Sequence, residues 1–153
     1  MARVRRTGSF EVERTTGSFE ILDRLFVYGT LLTGQTARSI IANAISRAMP
    51  ASSTGYIYAF PMGYPGFVEG DHGGRVGGEV MWLTDLAATF ALLDAYEGQD
   101  FARVLKQVQI TGGELAGTTV WSWIYTLSDP TAIAHGTLIP DGDWARHWNE
   151  TNA

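Results

Sequence analysis

The chain has no cysteine among its 153 residues. Disulfides, thiolate nucleophiles and thiolate metal sites are therefore excluded. No apolar run approaches the roughly 20 residues that a membrane-spanning helix needs. No apolar segment follows Arg3, Arg5 and Arg6, so no secretory signal is expected. Positive charge is also scarce, with 11 Lys and Arg against 16 Asp and Glu and a formal net charge of −5. Outside the first six residues there is no basic cluster, and Glu11 and Glu13 follow the early arginines. That pattern is a solvated tail rather than a phosphate-binding stripe. The expectation is a soluble cytoplasmic protein, with neither nucleic acid nor membrane as a partner. His72, His135 and His147 lack the spacing of metal ligands. No P-loop, G-x-G-x-x-G fingerprint or G-x-S-x-G elbow is present.

What is present is an ordinary globular composition, 45 % apolar and 18 % charged, with 18 glycines. This length suits one domain, and the glycine count suggests many turns and short strands. Residues 1–22 stand apart. The pentapeptide TGSFE occurs at 7–11 and again at 16–20, too few copies for a repeat architecture. The segment is an N-terminal extension, either disordered or laid along a neighbour through Phe10 and Phe19. The domain proper is 23–153.

Within it, 24–29 is a core strand that breaks at Gly29. A helical pattern over 36–48 places Ile40, Ile41, Ala44, Ile45 and Ala48 on one face, and Pro50 ends it. Gly55–Phe60 is a strand. Pro61–Gly66 holds two prolines and two glycines and is expected to be an irregular loop. Arg75–Leu83 is a strand whose Gly77 and Gly78 mark a bulge or a close backbone approach. Thr84 or Asp85 caps a helix that runs to about Tyr96 and stops at Gly98. Val104–Ile110 and Thr118–Leu127 are strands joined by a glycine-rich turn, and Asp143–Trp148 forms a helical turn. Many short strands with a few helices predict an α+β domain, a small mixed curled sheet or barrel with flanking helices.

Two stretches carry chemistry. The strand 25–28 runs into Gly29-Thr30-Leu31, either a plain turn or a loop whose backbone N–H groups face a ligand. On the helix 85–96, Leu86, Phe90 and Leu93 form the inward stripe, and Glu97 continues it. Burial and the negative helix C-terminus both push such a carboxyl upward, toward the range of a general acid or base. The alternative is that the helix ends earlier and Glu97 swings into water or pairs with Arg103.

Taken together, the segments FVYGTLLTGQ (26–35), GYP (63–65), VGGEV (76–80), LLDAYEG (92–98), FARVLKQVQI (101–110) and WIYTL (123–127) resemble the γ-glutamylcyclotransferase-like superfamily, which includes the AIG2-like proteins and γ-glutamylamine cyclotransferases. The resemblance covers about 25–127. It implies a small mixed barrel with flanking helices. It also implies an enzyme that closes the γ-glutamyl group of a small-molecule substrate into 5-oxoproline and releases an amine or amino acid. By resemblance, Glu97 is the catalytic acid/base. The substrate is bound by Tyr28, Gly29, Thr30 and Leu31 of the loop, with Tyr64, Pro65, Phe101 and Tyr125 lining the pocket. Phe101 departs from the tyrosine that the family often has there. The implied reaction needs no metal or organic cofactor. The rival reading is a non-catalytic small-molecule-binding or interaction protein of the same fold. The oligomeric state is open, a homodimer being one possibility.

Overall fold

The computed structural model describes residues 22–70 and 73–152; both TGSFE copies and His72 lie outside them. Five strands close into a barrel in the order β1 (Arg24–Val27), β5 (Arg75–Leu83), β2 (Ile45–Thr54), β6 (Phe101–Ile110) and β7 (Thr119–Leu127). All neighbours are antiparallel except β1 and β7, whose parallel contact at Leu25 and Trp123 completes the ring. Leu25, Phe26 and Val27 are all buried, so β1 is covered on both faces. Val76, Val80, Met81, Val108 and Ile124 fill the core beside them. Full burial of each such side chain contributes about 1.5–3 kcal/mol.

A second sheet has three strands in the order β4 (Tyr64–Val68), β3 (Tyr56–Phe60) and β8 (Thr137–Leu138). Helix α1 (Leu86–Glu97) joins β5 to β6, and α2 (Trp144–Thr151) ends the fold. The Asp143 carboxylate caps α2 by accepting from the Arg146 N–H at 3.1 Å. None of these helices is long and apolar enough to cross a membrane.

Three expectations need correction. The helix expected over 36–48 is instead two short 3-10 turns, Arg38–Ile40 and Ala42–Ala44, followed by β2. In β2 the buried residues Met49, Ala51 and Ser53 alternate, as a strand requires. Pro50 sits inside this strand just where the ladder to β6, at Ala51 and Ser52, ends, and its carbonyl still accepts from the Thr111 N–H at 2.9 Å. The irregular loop expected at 61–66 contains the start of β4. Pro65 is tolerated there because β4 is an edge strand. Neither Thr84 nor Asp85 caps α1 with its side chain: Asp85 is left-handed, with φ +48°, and the helix start is tied by the Thr89 hydroxyl donating to the Thr84 carbonyl at 2.8 Å. Of the two roles open to the β5 glycines, Gly78 takes the close approach, lying against the Val27 carbonyl.

Candidate active site

The end of α1 and the loop after β1 meet on one side of the barrel. Leu86, Phe90, Leu93 and Glu97 share the inward side of α1 as their spacing requires, and Phe90 and Leu93 are buried. The helix ends where Gly98 adopts φ +72°, a conformation that side chains resist. Glu97 is thus the last helical residue, half-buried in the lining of a cavity of about 320 Å³.

Across the cavity lies the loop 29–32. The Leu32 N–H donates to the Gly29 carbonyl at 3.0 Å, and the Ala37 N–H to the Thr30 carbonyl at 2.8 Å. A trans peptide points its C=O and the following N–H in opposite directions. The Thr30 and Leu31 N–H groups therefore face away from the segment that holds those carbonyls. Together with the Gly29 N–H, they donate to no group among the described residues. Glycine at 29 is required by close approach: a Cβ there would stand 2.5 Å from Cγ of Pro65. So the loop packs on the edge strand through the Pro65 ring.

Every residue singled out from the sequence lines this one cavity: Tyr28, Gly29, Thr30, Leu31, Tyr64, Pro65, Glu97, Phe101 and Tyr125. Two of the hydroxyls are already engaged. Tyr28 donates to the Tyr125 carbonyl at 2.7 Å, and Tyr125 donates to Asp94 Oδ1 at 2.6 Å. Both phenols therefore serve as walls held in place. Burial, then the Glu97 charge, raises the Tyr28 pKa. Burial, then the Asp94 hydrogen bond, raises that of Tyr125, and both stay protonated. Tyr64 meets Phe101 edge-on, ring centroids 6.0 Å apart.

Sequence reasoning missed three contributors. Tyr96 and Asp100 also line the cavity, and the Tyr96 hydroxyl lies 2.9 Å from Thr30 Oγ1, tying helix to loop. Asp94 sits one helical turn before Glu97, a spacing that could have flagged it. It accepts both Arg103 Nε at 3.0 Å and Arg103 Nη2 at 3.1 Å, besides Tyr125. The Arg103 guanidinium lies over the rings of Phe90 and Trp123. Arg103 is thus committed to Asp94, and Glu97 makes no hydrogen bond or ion pair with any described residue.

This separation divides the two carboxyls. Burial pushes Asp94 up, but the hydrogen bonds from Arg103 and Tyr125 and the Arg103 charge outweigh it, so Asp94 stays ionised. Glu97 is pushed up to about 7, first by burial and then by the Asp94 charge. Such a group gives and takes protons readily near neutrality. No Arg, Lys or His is among the described residues lining the cavity.

The family model for γ-glutamyl cyclotransferase, AIG2-like proteins matches residues 25–146. The chain belongs to this AIG2-like family. Solved structures carry the same fold. YkqA of Bacillus subtilis superposes with a TM-score of 0.66 at 24% identity, over 85% of this chain and 42% of its own; this chain thus spans less than half of YkqA. A Pyrococcus horikoshii protein superposes at 0.59 with 21% identity, over 84% of this chain and 95% of its own. An AIG2-like protein of Mus musculus gives 0.56 at 22% identity, over 69% and 77%. No curated protein sequence matches the chain. The AIG2-like match spans both the loop 29–32 and the helix that carries Glu97.

Proposed function

We propose that this AIG2-like protein is a γ-glutamyl cyclotransferase, releasing 5-oxoproline and an amine or amino acid from a γ-glutamyl compound. One observation carries the reading: a carboxyl raised to about 7 lines the same cavity as Gly29, Thr30 and Leu31, and neither it nor their backbone N–H groups have a partner among the described residues. The reaction asks for little more. The Glu97 carboxylate takes a proton from the substrate's α-ammonium. The freed amine attacks its own γ-carbonyl carbon, closing a five-membered ring. Negative charge collects on the carbonyl oxygen, where N–H donors are most effective. The C–N bond to the leaving group then breaks. Over the reaction the α-ammonium loses two protons and the leaving nitrogen gains two. Glu97 relays them and ends as it began.

Holding the glutamyl chain bent is worth several kcal/mol, and roughly 7–11 in the best-oriented intramolecular reactions. The packed rings of Tyr28, Tyr64, Phe101 and Tyr125 supply that shape. The substrate's own carboxylate meets no cation among the described lining residues and so depends on N–H donors as well. The test is chromatographic detection of 5-oxoproline after incubation with γ-glutamyl alkylamines, γ-glutamyl-ε-lysine, γ-glutamyl amino acids and glutathione. Release from at least one compound supports the reading. Binding of 5-oxoproline without release from any of them favours a binding protein of the same fold.

A further inference from the structure

The donor loop is useful only if its N–H groups are aimed, and several of the contacts that hold it come from residues outside the cavity. Behind the loop, Arg38 and Glu79 form an ion pair at 2.9 Å, both side chains 22% exposed. Neither lines the cavity. Glu79 stands on β5 opposite Val27, at the last pair of the β1 ladder, so it belongs to the rigid barrel wall. The same Glu79 Oε1 accepts from the Thr33 N–H at 3.1 Å. Arg38 Nη1 donates to Thr33 Oγ1 at 2.9 Å and reaches the Leu31 carbonyl at 3.4 Å. The residue before Arg38 is Ala37, whose N–H holds the Thr30 carbonyl. That carbonyl shares a peptide plane with the Leu31 N–H.

We propose that the Arg38–Glu79 pair is a positioning device for the donor loop, fixing the strap 33–38 to the barrel so that Ala37 orients the Thr30–Leu31 peptide toward the substrate. The inference rests on the cyclotransferase reading for its catalytic consequence, but not for its structural one. A generic surface pair would not show this arrangement. Such pairs contribute little, whereas here one carboxylate and one guanidinium reach an amide, a hydroxyl and a carbonyl of the same turn.

The test compares wild type with Arg38→Met, Glu79→Gln and Arg38→Lys. The first readout needs no substrate: amide NMR shifts and hydrogen exchange of Gly29, Thr30 and Leu31. Arg38→Met should move these amides while core amides of β5 and β7 keep their shifts, and Arg38→Lys should move them less. The second readout is kcat and KM for 5-oxoproline release. Misaimed donors should lower kcat by roughly ten- to a hundredfold, with the acid limb of the pH profile unmoved, because Glu97 and Asp94 are untouched. Unchanged amides at 29–31 in folded Arg38→Met would overturn the proposal, whatever the turnover. So would moved amides with wild-type kcat. Absence of turnover in wild type, with the amides moved as expected, would overturn the cyclotransferase reading and leave the positioning role standing.

Discussion

Replacing Glu97 by glutamine should make the protein more stable at alkaline pH and leave its stability at acid pH unchanged. The Glu97 carboxyl rises from 4.5 to about 7 on folding, mainly through burial and secondarily through Asp94. Between those two values the folded state holds a proton that the unfolded chain has released, so stability falls as pH rises through that window. Below about 4.5 the group is neutral in both states, and above about 7 the whole loss has accrued. At about 1.36 kcal/mol per pH unit, the rise corresponds to at most about 3 kcal/mol. Solvent screens the half-buried group and brings this to about 1–2 kcal/mol. Glutamine keeps the shape and removes the charge. Thermal melts should therefore show Glu97→Gln with a Tm higher by about 2–8 °C at pH 8.5 and equal to wild type near pH 4. A variant that melts lower at pH 8.5, or whose Tm gain is the same at both pH values, would mean that the Glu97 charge is not buried at a cost. A carboxyl that destabilises its own fold is kept for another reason, and stability traded for activity is a common one.

Three further outcomes follow from the site. Asp94→Asn removes the smaller of the two causes acting on Glu97 and leaves the Arg103 cation uncompensated. The acid limb of the pH profile for turnover should move down by up to about one pH unit; an upward move would contradict the assignment. Gly29→Ala places a Cβ 2.5 Å from Pro65 Cγ, so it should cost about 1–3 kcal/mol of stability and most of the turnover; a denaturant midpoint equal to wild type would show that the loop is looser than described. Among the described residues the cavity lining holds Asp100 and no cation, so γ-glutamyl alkylamines should surpass γ-glutamyl amino acids in kcat/KM by about tenfold, a difference of ~1.4 kcal/mol; the reverse order would contradict this reading of the lining.

Where local signals were strong, the sequence was legible. The stripe Leu86, Phe90, Leu93 led to Glu97 because an α-helix repeats faithfully over three turns. The glycine at 29 was legible as a break in the strand, but its close approach to the Pro65 ring was not, because that contact joins segments far apart in the chain. The segment 36–48 misled because Ile40, Ile41, Ala44, Ile45 and Ala48 match helical spacing, while the strand signal beside them rests on Met49, Ala51 and Ser53. Alanine and serine are too small and too polar to announce a buried face. Pro65 looked like a loop residue because edge position is a property of the sheet, which no local window contains. Asp94 and Arg103 were visible as residues, but their pairing depends on the register of β6 against β7 and on where α1 lies over them. Tyr96 was hidden for a similar reason: its partner, Thr30, is 66 residues away.

The reaction proposed for this cavity turns on Glu97 as its acid/base. The most direct measurement is 5-oxoproline release by wild type and Glu97→Gln on the same γ-glutamyl substrate, followed from pH 5 to pH 9. The wild-type rate should rise through a titration near 7, and the folded variant should have at least a hundredfold lower kcat at every pH. A variant that turns over at the wild-type rate, with the same pH profile, would contradict that role.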